Sequence, residues 1–196
     1  IRDRYEYALK AEKAGADRIE LCKDLHLDGL TPDYESAKRT IDTLEIPVFI
    51  LIRPREGNFI YSNEEFELMK SDIIKFKEMG CKGIVSGVLN SDNSIDIKKT
   101  KELVELSRPL EFTFHRAFDK VNNPLHEIEN LIGLGIDRVL TSGQKEKAID
   151  GLVLLKQLNS ISNNRIKIMP GSGINKSNIV NFVNFEEIHG SFKNGF

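Results

Sequence analysis

Short apolar and β-branched runs alternate along the chain with longer stretches whose apolar positions recur at helical spacing. The runs fall at residues 17–22, 47–54, 83–89, 111–117, 138–143, 167–171 and 187–192, and each predicts a strand. Most are apolar on both faces. That is the pattern of a parallel sheet covered by helices, because a half-solvated strand would alternate. The helical stretches open on capping signals: Thr31 before Pro32, Asn123 before Pro124, and Ser62 spaced from Glu65 as a capping box. The first helix is predicted over residues 2–14, with Gly15 ending it.

A weak internal echo supports a repeated strand–helix unit. Gly15-Ala-Asp-Arg-Ile-Glu, Gly80-Cys-Lys-Gly-Ile-Val and Gly135-Ile-Asp-Arg-Val-Leu each close a helix and open a strand, on every second unit. The expected fold is a TIM (β/α)8-type barrel forming one domain over residues 1–196, with an open doubly wound sheet as the alternative. Seven strands are counted, with a helix ahead of the first. A closed barrel needs eight, so the chain is expected to lack its first strand and its last helix, leaving two strand edges exposed.

Loop lengths orient the barrel. Helix-to-strand connections are short, whereas the strand-to-helix loops at 23–30, 55–61, 90–95 and 118–123 are long. In this architecture the strand-to-helix face carries the site, and the predicted strands turn polar as they reach it.

Composition narrows the classes of partner. Lys and Arg total 28 against 30 for Asp and Glu, so no net field draws nucleic acid or an anionic membrane. The longest apolar run, residues 46–52, is too short to span a bilayer. Cys22 and Cys81 are far apart, which fits neither a disulfide framework nor a paired metal-ligand spacing, and suits a reducing cytosol.

The strand ends supply the candidate chemistry. Arg53, Arg55 and Arg116 are candidate anion clamps, since guanidinium groups grip carboxylate or phosphate in a bidentate fork. Surface pairing with local acids such as Glu56 and Asp119 is the competing reading. Gly171, Ser172 and Gly173, with Asn175 behind them, and the shorter Thr141-Ser142-Gly143 turn resemble the place where many barrels hold phosphate on backbone N–H groups. Ordinary turn chemistry would look the same.

Glu20 and His115 are the candidate acid and base, with Glu20 alternatively paired to a barrel arginine. Asp119 and His189 complete the polar rim, while His26 and His126 read as surface residues. Cys22 is a candidate nucleophile or soft-metal ligand, although a single thiol is more often a small buried hydrophobe. Cys81 reads as structural.

Taken in order, Gly15-Ala-Asp-Arg-Ile-Glu-Leu-Cys22, Gly29-Leu-Thr-Pro32, Ile52-Arg-Pro-Arg55, Thr113-Phe-His-Arg-Ala-Phe-Asp119, Leu140-Thr-Ser-Gly143 and Gly171-Ser-Gly173 with Asn178 resemble the CutC family, described as copper homeostasis proteins. The resemblance covers almost the whole chain. It implies a cytoplasmic TIM barrel, commonly a homo-oligomer, associated with copper handling. Family members usually begin with a strand ahead of the helix that opens here, and the cysteine commonly carried by that strand has been considered with the position of Cys22 as a Cu(I) pair. This chain departs from the family at Arg55-Glu-Gly57 and His26-Leu-Asp-Gly29, where extra glycines are usual.

Two functions compete on these grounds: copper homeostasis with Cu(I) as ligand, and acid/base catalysis on a small phosphate- or carboxylate-bearing metabolite. A binding module without turnover is the third.

Overall fold

A computed structural model describes residues 5–190. Six helices and six strands alternate: α1 (Tyr5–Lys13), β1 (Ile19–Leu21), α2 (Tyr34–Thr43), β2 (Val48–Leu51), α3 (Asn63–Glu78), β3 (Gly83–Ser86), α4 (Ile97–Ser107), β4 (Glu111–Phe114), α5 (Pro124–Gly133), β5 (Arg138–Thr141), α6 (Leu152–Ser162) and β6 (Lys167–Pro170). Short 3-10 turns follow β1, β4 and β6 at Leu25–Leu27, Arg116–Lys120 and Ile179–Phe182. Residues 2–4 of the expected first helix lie outside the described residues.

The strands follow one another in chain order, β1 to β6. A doubly wound sheet reverses its order at a switch point, so the monotonic order favours barrel-type winding. The expected strand at 187–192 is reduced to a single parallel bridge between Gly171 and His189, and its last two residues lie outside the described residues.

The residues group into two compact units. The first holds residues 5–86 and 105–112. Here β1 pairs with β2 in parallel, Glu20 opposite Phe49, and β2 pairs with β3, Leu51 opposite Val85. Every residue of these three strands is buried. Burial on both faces is what their unbroken apolar runs require, each fully buried Ile, Leu or Phe contributing about 1.5–3 kcal/mol.

Helix α3 starts as its sequence predicts. Ser62 Oγ accepts the Glu65 N–H at 3.2 Å and Glu65 Oε2 accepts the Ser62 N–H at 2.8 Å, closing the capping box. Thr31 does not cap α2. The helix opens after Asp33, and Thr31 Oγ1 instead accepts the Arg53 N–H at 2.9 Å, tying the loop after β1 to the end of β2.

The second unit holds residues 87–104 and 113–190. β4 pairs with β5, Thr113 opposite Arg138, and β5 pairs with β6, Leu140 opposite Met169, both in parallel. Asn123 accepts the His126 N–H at the head of α5, with Pro124 as its first residue. At the other end of the strands, buried Arg138 is held by Glu187 at 3.0 Å and by Thr113 Oγ1. Gly15, Gly80 and Gly135 all take positive φ (85°, 95° and 70°), so the sequence echo marks a shared left-handed helix stop.

Candidate functional site

In the first unit the residues on one side of β1 and β2 follow from the two-residue strand period. Arg18, Glu20 and Cys22 share a face. Glu20 is 3% exposed and lies within β1 rather than at its end, opposite Phe49. The Arg18 guanidinium approaches its carboxylate to 4.0 Å and lies 4.8 Å over the Phe49 ring. The pairing with a barrel arginine, weighed as an alternative from sequence, is therefore present.

Cys22, one step further along, is enclosed by Phe49, Leu51, Val85 and Leu25. Gly29 closes over it: a Cβ there would sit 3.1 Å from Cys22 Sγ and 3.0 Å from Leu51 Cδ2. This cluster is apolar and, among the described residues, holds no second soft donor, so it does not fit a copper centre built on Cys22. Among the described residues no group of three or more His, Cys, Asp or Glu could hold a metal ion.

Arg53 directly follows the C-terminal end of β2 and is 4% exposed. Its Nη1 donates to Leu27 O at 2.8 Å and Gly29 O at 2.9 Å, and its Nη2 donates to Gly57 O at 3.1 Å. These three acceptors are backbone carbonyls, whose dipoles solvate the charge without cancelling it. Among the described residues its buried Nε has no hydrogen-bond partner at normal geometry, and the Tyr61 hydroxyl lies close enough to interact with the guanidinium. The Phe59 ring lies 5.2 Å from the guanidinium carbon.

Arg55 behaves differently. Its Nε binds Glu65 at 2.6 Å, and its terminal nitrogens reach the carbonyls of Glu56, Asn58 and Ile60, so it folds the loop back on α3. Tyr61 stands beside both arginines and is buried. Burial pushes its phenol up to about 12, against the lowering influence of Arg53 and Arg55.

In the second unit His115 is 5% exposed. Its Nδ1 accepts the Ala117 N–H at 3.2 Å, so the neutral ring carries its proton on Nε2. Gly87 lets the ring in: a Cβ at that position would lie 2.8 Å from His115 Nδ1.

The polar residues of the next two strand ends converge on Asp119. Its Oδ1 accepts from Thr141 Oγ1 at 2.6 Å and the Gln144 N–H at 3.1 Å, and its Oδ2 accepts from Arg116 Nε at 2.8 Å and Ser142 Oγ at 3.0 Å. Arg116 Nη2 also donates to Ser142 Oγ at 3.1 Å. The turn that resembles a phosphate cradle thus holds the chain's own carboxylate.

Ser172 and Gly173 both take positive φ (83° and 71°), an unfavourable conformation for a serine. Ser172 Oγ donates to Glu146 O at 2.7 Å, and Gly173 O accepts the side-chain amides of Asn175 and Asn178. His189 lies against Gly171, where a Cβ would be 3.2 Å from its Nδ1, and its N–H donates to Pro170 O at 2.8 Å.

Glu20, Cys22, Arg53 and Arg55 therefore belong to the first unit. His115, Arg116, Asp119, Ser142, Gly171, Ser172, Gly173 and His189 belong to the second. Sequence reasoning did not single out Arg18, Phe59, Tyr61 or Gln144. Only Arg18 left a signal, two residues from Glu20 and so on the same strand face.

Comparison with known proteins agrees with this architecture. The CutC family model matches residues 2–194. A CutC family protein of Photorhabdus laumondii is 45% identical over 186 residues, covering 94% of this chain and 75% of that protein. The human copper homeostasis protein cutC homolog is 46% identical over 177 residues, covering 90% of this chain and 65% of the human protein.

The crystal structure of CutC from Streptococcus agalactiae superposes with a TM-score of 0.90 at 32% identity, covering 96% of this chain and 95% of that one. An aldolase, QR15, superposes with a TM-score of 0.70 at 15% identity over 94% of this chain and 81% of its own, a likeness of TIM-type fold alone. The chain belongs to the CutC family.

Proposed function

We propose that the chain serves copper homeostasis, the role in the names of its human and mouse relatives, and that it does so by binding a small anion at a strand end. One observation carries the binding reading. Arg53 is a buried cation whose guanidinium donates to three backbone carbonyls. Carbonyl dipoles solvate such a charge without cancelling it, and in a poorly screened site an anion gains more from it than it would from an exposed arginine. In the second unit, half-exposed Arg116 and the turn of Gly171, Ser172 and Gly173 are the further candidates for anion contact. As part of this reading the chain works in the cytoplasm as a homo-oligomer.

A melting-temperature screen against small oxyanions at constant ionic strength tests the proposal. A saturable rise with at least one of them is expected, and it is expected to be lost in Arg53→Lys. A screen in which every oxyanion behaves like chloride would remove the anion site. The role of the thiol is read separately, by Cu(I) competition in reducing buffer. The apolar enclosure of Cys22 predicts equal Cu(I) uptake by the unaltered chain and by Cys22→Ala. Tighter binding by the unaltered chain would make Cys22 a copper ligand and the ion itself the cargo.

A further inference from the structure

We propose that the turn after β5 is a carboxylate-binding cradle held shut by the chain's own Asp119, an intramolecular ligand standing in place of the carboxylate of a small organic acid. The cradle belongs to the second unit and does not depend on Arg53. Its donors meet two oxygen positions. Oδ1 accepts from Thr141 Oγ1 and from the N–H groups of Ser142 and Gln144, at 2.6, 3.0 and 3.1 Å. Oδ2 accepts from Arg116 Nε at 2.8 Å and from Ser142 Oγ at 3.0 Å. The Asp119 side chain is 6% exposed, so this is an enclosed anion position with its anion in place.

Parts of the chain other than Asp119 hold these donors. The Gly143 N–H donates to Thr141 Oγ1 at 3.0 Å, which leaves the Thr141 hydrogen for the carboxylate. Gly143 and Gln144 take positive φ (69° and 60°), and Gly143 packs so closely on the Gly151 carbonyl that no side chain fits between them. Thr141 ends β5, and its carbonyl accepts the Gly171 N–H at 3.0 Å. Arg116 Nη2 rests on Ser142 Oγ at 3.1 Å. Removing the occupant therefore leaves inward donors in place and unsatisfied, and a free carboxylate gains what they lose.

Shape and charge name the ligand class. Two oxygen positions, each met by several donors, match a planar group of one negative charge. A phosphate brings two further oxygens, and every contact to Asp119 falls on the first two. Its second charge would be poorly compensated in so enclosed a place. While Asp119 stays in the cradle, the Thr141-Ser142-Gly143 turn is closed to any external anion.

Asp119→Gly vacates the cradle, and formate supplies the missing carboxylate. Thermal melts of the full chain at neutral pH and constant ionic strength test this, with sodium chloride, formate or inorganic phosphate as the salt. Asp119→Gly is expected to melt below the unaltered chain in chloride and to regain about 3–6 °C at formate about tenfold above its dissociation constant, as mass action requires. Phosphate is expected to match chloride. Asp119→Asn, which fills the space with a neutral amide, is expected to gain no more from formate than the unaltered chain does. Formate acting through Arg53 would raise all three chains alike, so only the excess in Asp119→Gly reads the cradle. Should that variant be unfolded in chloride, return of its helical circular dichroism in formate reads the same equilibrium, and Asp119→Ala repeats it with a smaller lesion. No excess response to formate in either variant overturns the cradle. A response to phosphate as large as that to formate overturns the carboxylate class.

Discussion

Both carboxylate oxygens of Asp119 accept the backbone N–H of Ser142, at 3.0 and 3.2 Å. With Thr141, Gln144 and Arg116 on the same carboxylate, the turn after β5 is organised around an internal anion. Removing it leaves several inward donors and part of Arg116 without an acceptor. Asp119→Ala is therefore expected to lose about 3–5 kcal/mol of stability in urea denaturation, the scale for breaking a buried charge-assisted network. A loss below about 1 kcal/mol, the value of an exposed ion pair, would contradict this role.

Gly87 makes room for His115. A Cβ there would lie 2.8 Å from Nδ1, 2.9 Å from Cε1 and 3.1 Å from Phe114 Cζ. Gly87→Ala must displace the ring and loosen its bond from the Ala117 N–H. The expected cost is about 1–3 kcal/mol, as for other overpacked interiors, with a shifted imidazole resonance in NMR. An unmoved resonance would mean that the ring is not in contact.

The fold was legible because its signals are local and repeated. Gly15, Gly80 and Gly135 each need a left-handed conformation that few other residues accept, and the Ser62–Glu65 box lies within one helical turn. The strands betrayed themselves by burial on both faces. Thr31 misled because a cap depends on where the helix begins, and its hydroxyl is claimed by the Arg53 N–H from 22 residues away.

The site was legible as residue types, not as roles. Arg53 and Arg55 are two residues apart, yet one turns inward to three carbonyls and the other outward to Glu65. That choice is made by loops whose carbonyl directions leave no trace in sequence. Asp119 was visible as a polar residue near Arg116, but its second partner set lies more than 20 positions away.

Cys81 is buried, and burial pushes its thiol up to about 11. The thiolate is the reactive form, so at pH 8 roughly one Cys81 in a thousand is ready to react in the native state. Slow native labelling by a disulfide reagent such as DTNB is expected at this position, followed by fast labelling in denaturant. Mass spectrometry of the quenched peptides reads Cys81 apart from Cys22. Rapid native modification of Cys81 would contradict the packing described.

Asp72 offers the clearest pH dependence. It is 5% exposed on α3 and accepts a 2.5 Å hydrogen bond from the Tyr34 hydroxyl on α2, while Lys75 Nζ reaches that hydroxyl at 3.1 Å. Burial raises its carboxyl pKa above 3.8, opposed by the Tyr34 hydrogen bond and by Lys75 and Lys23. A raised folded pKa means that the folded chain holds this proton more tightly than the unfolded one. The protonated carboxyl therefore favours the fold fully below the unfolded value, and that contribution fades as pH climbs through the folded pKa. Asp72→Asn keeps an oxygen for Tyr34 and never ionises. It is expected to match or exceed the unaltered chain in stability at pH 7, with the difference shrinking as pH falls toward 4. Asp72→Ala, which strands the Tyr34 hydroxyl, is expected to lose about 1–3 kcal/mol. Urea titrations of the three chains at both pH values decide it: an Asn variant clearly weaker at pH 7 would mean that Lys75 and Lys23 more than offset the burial of the ionised carboxylate.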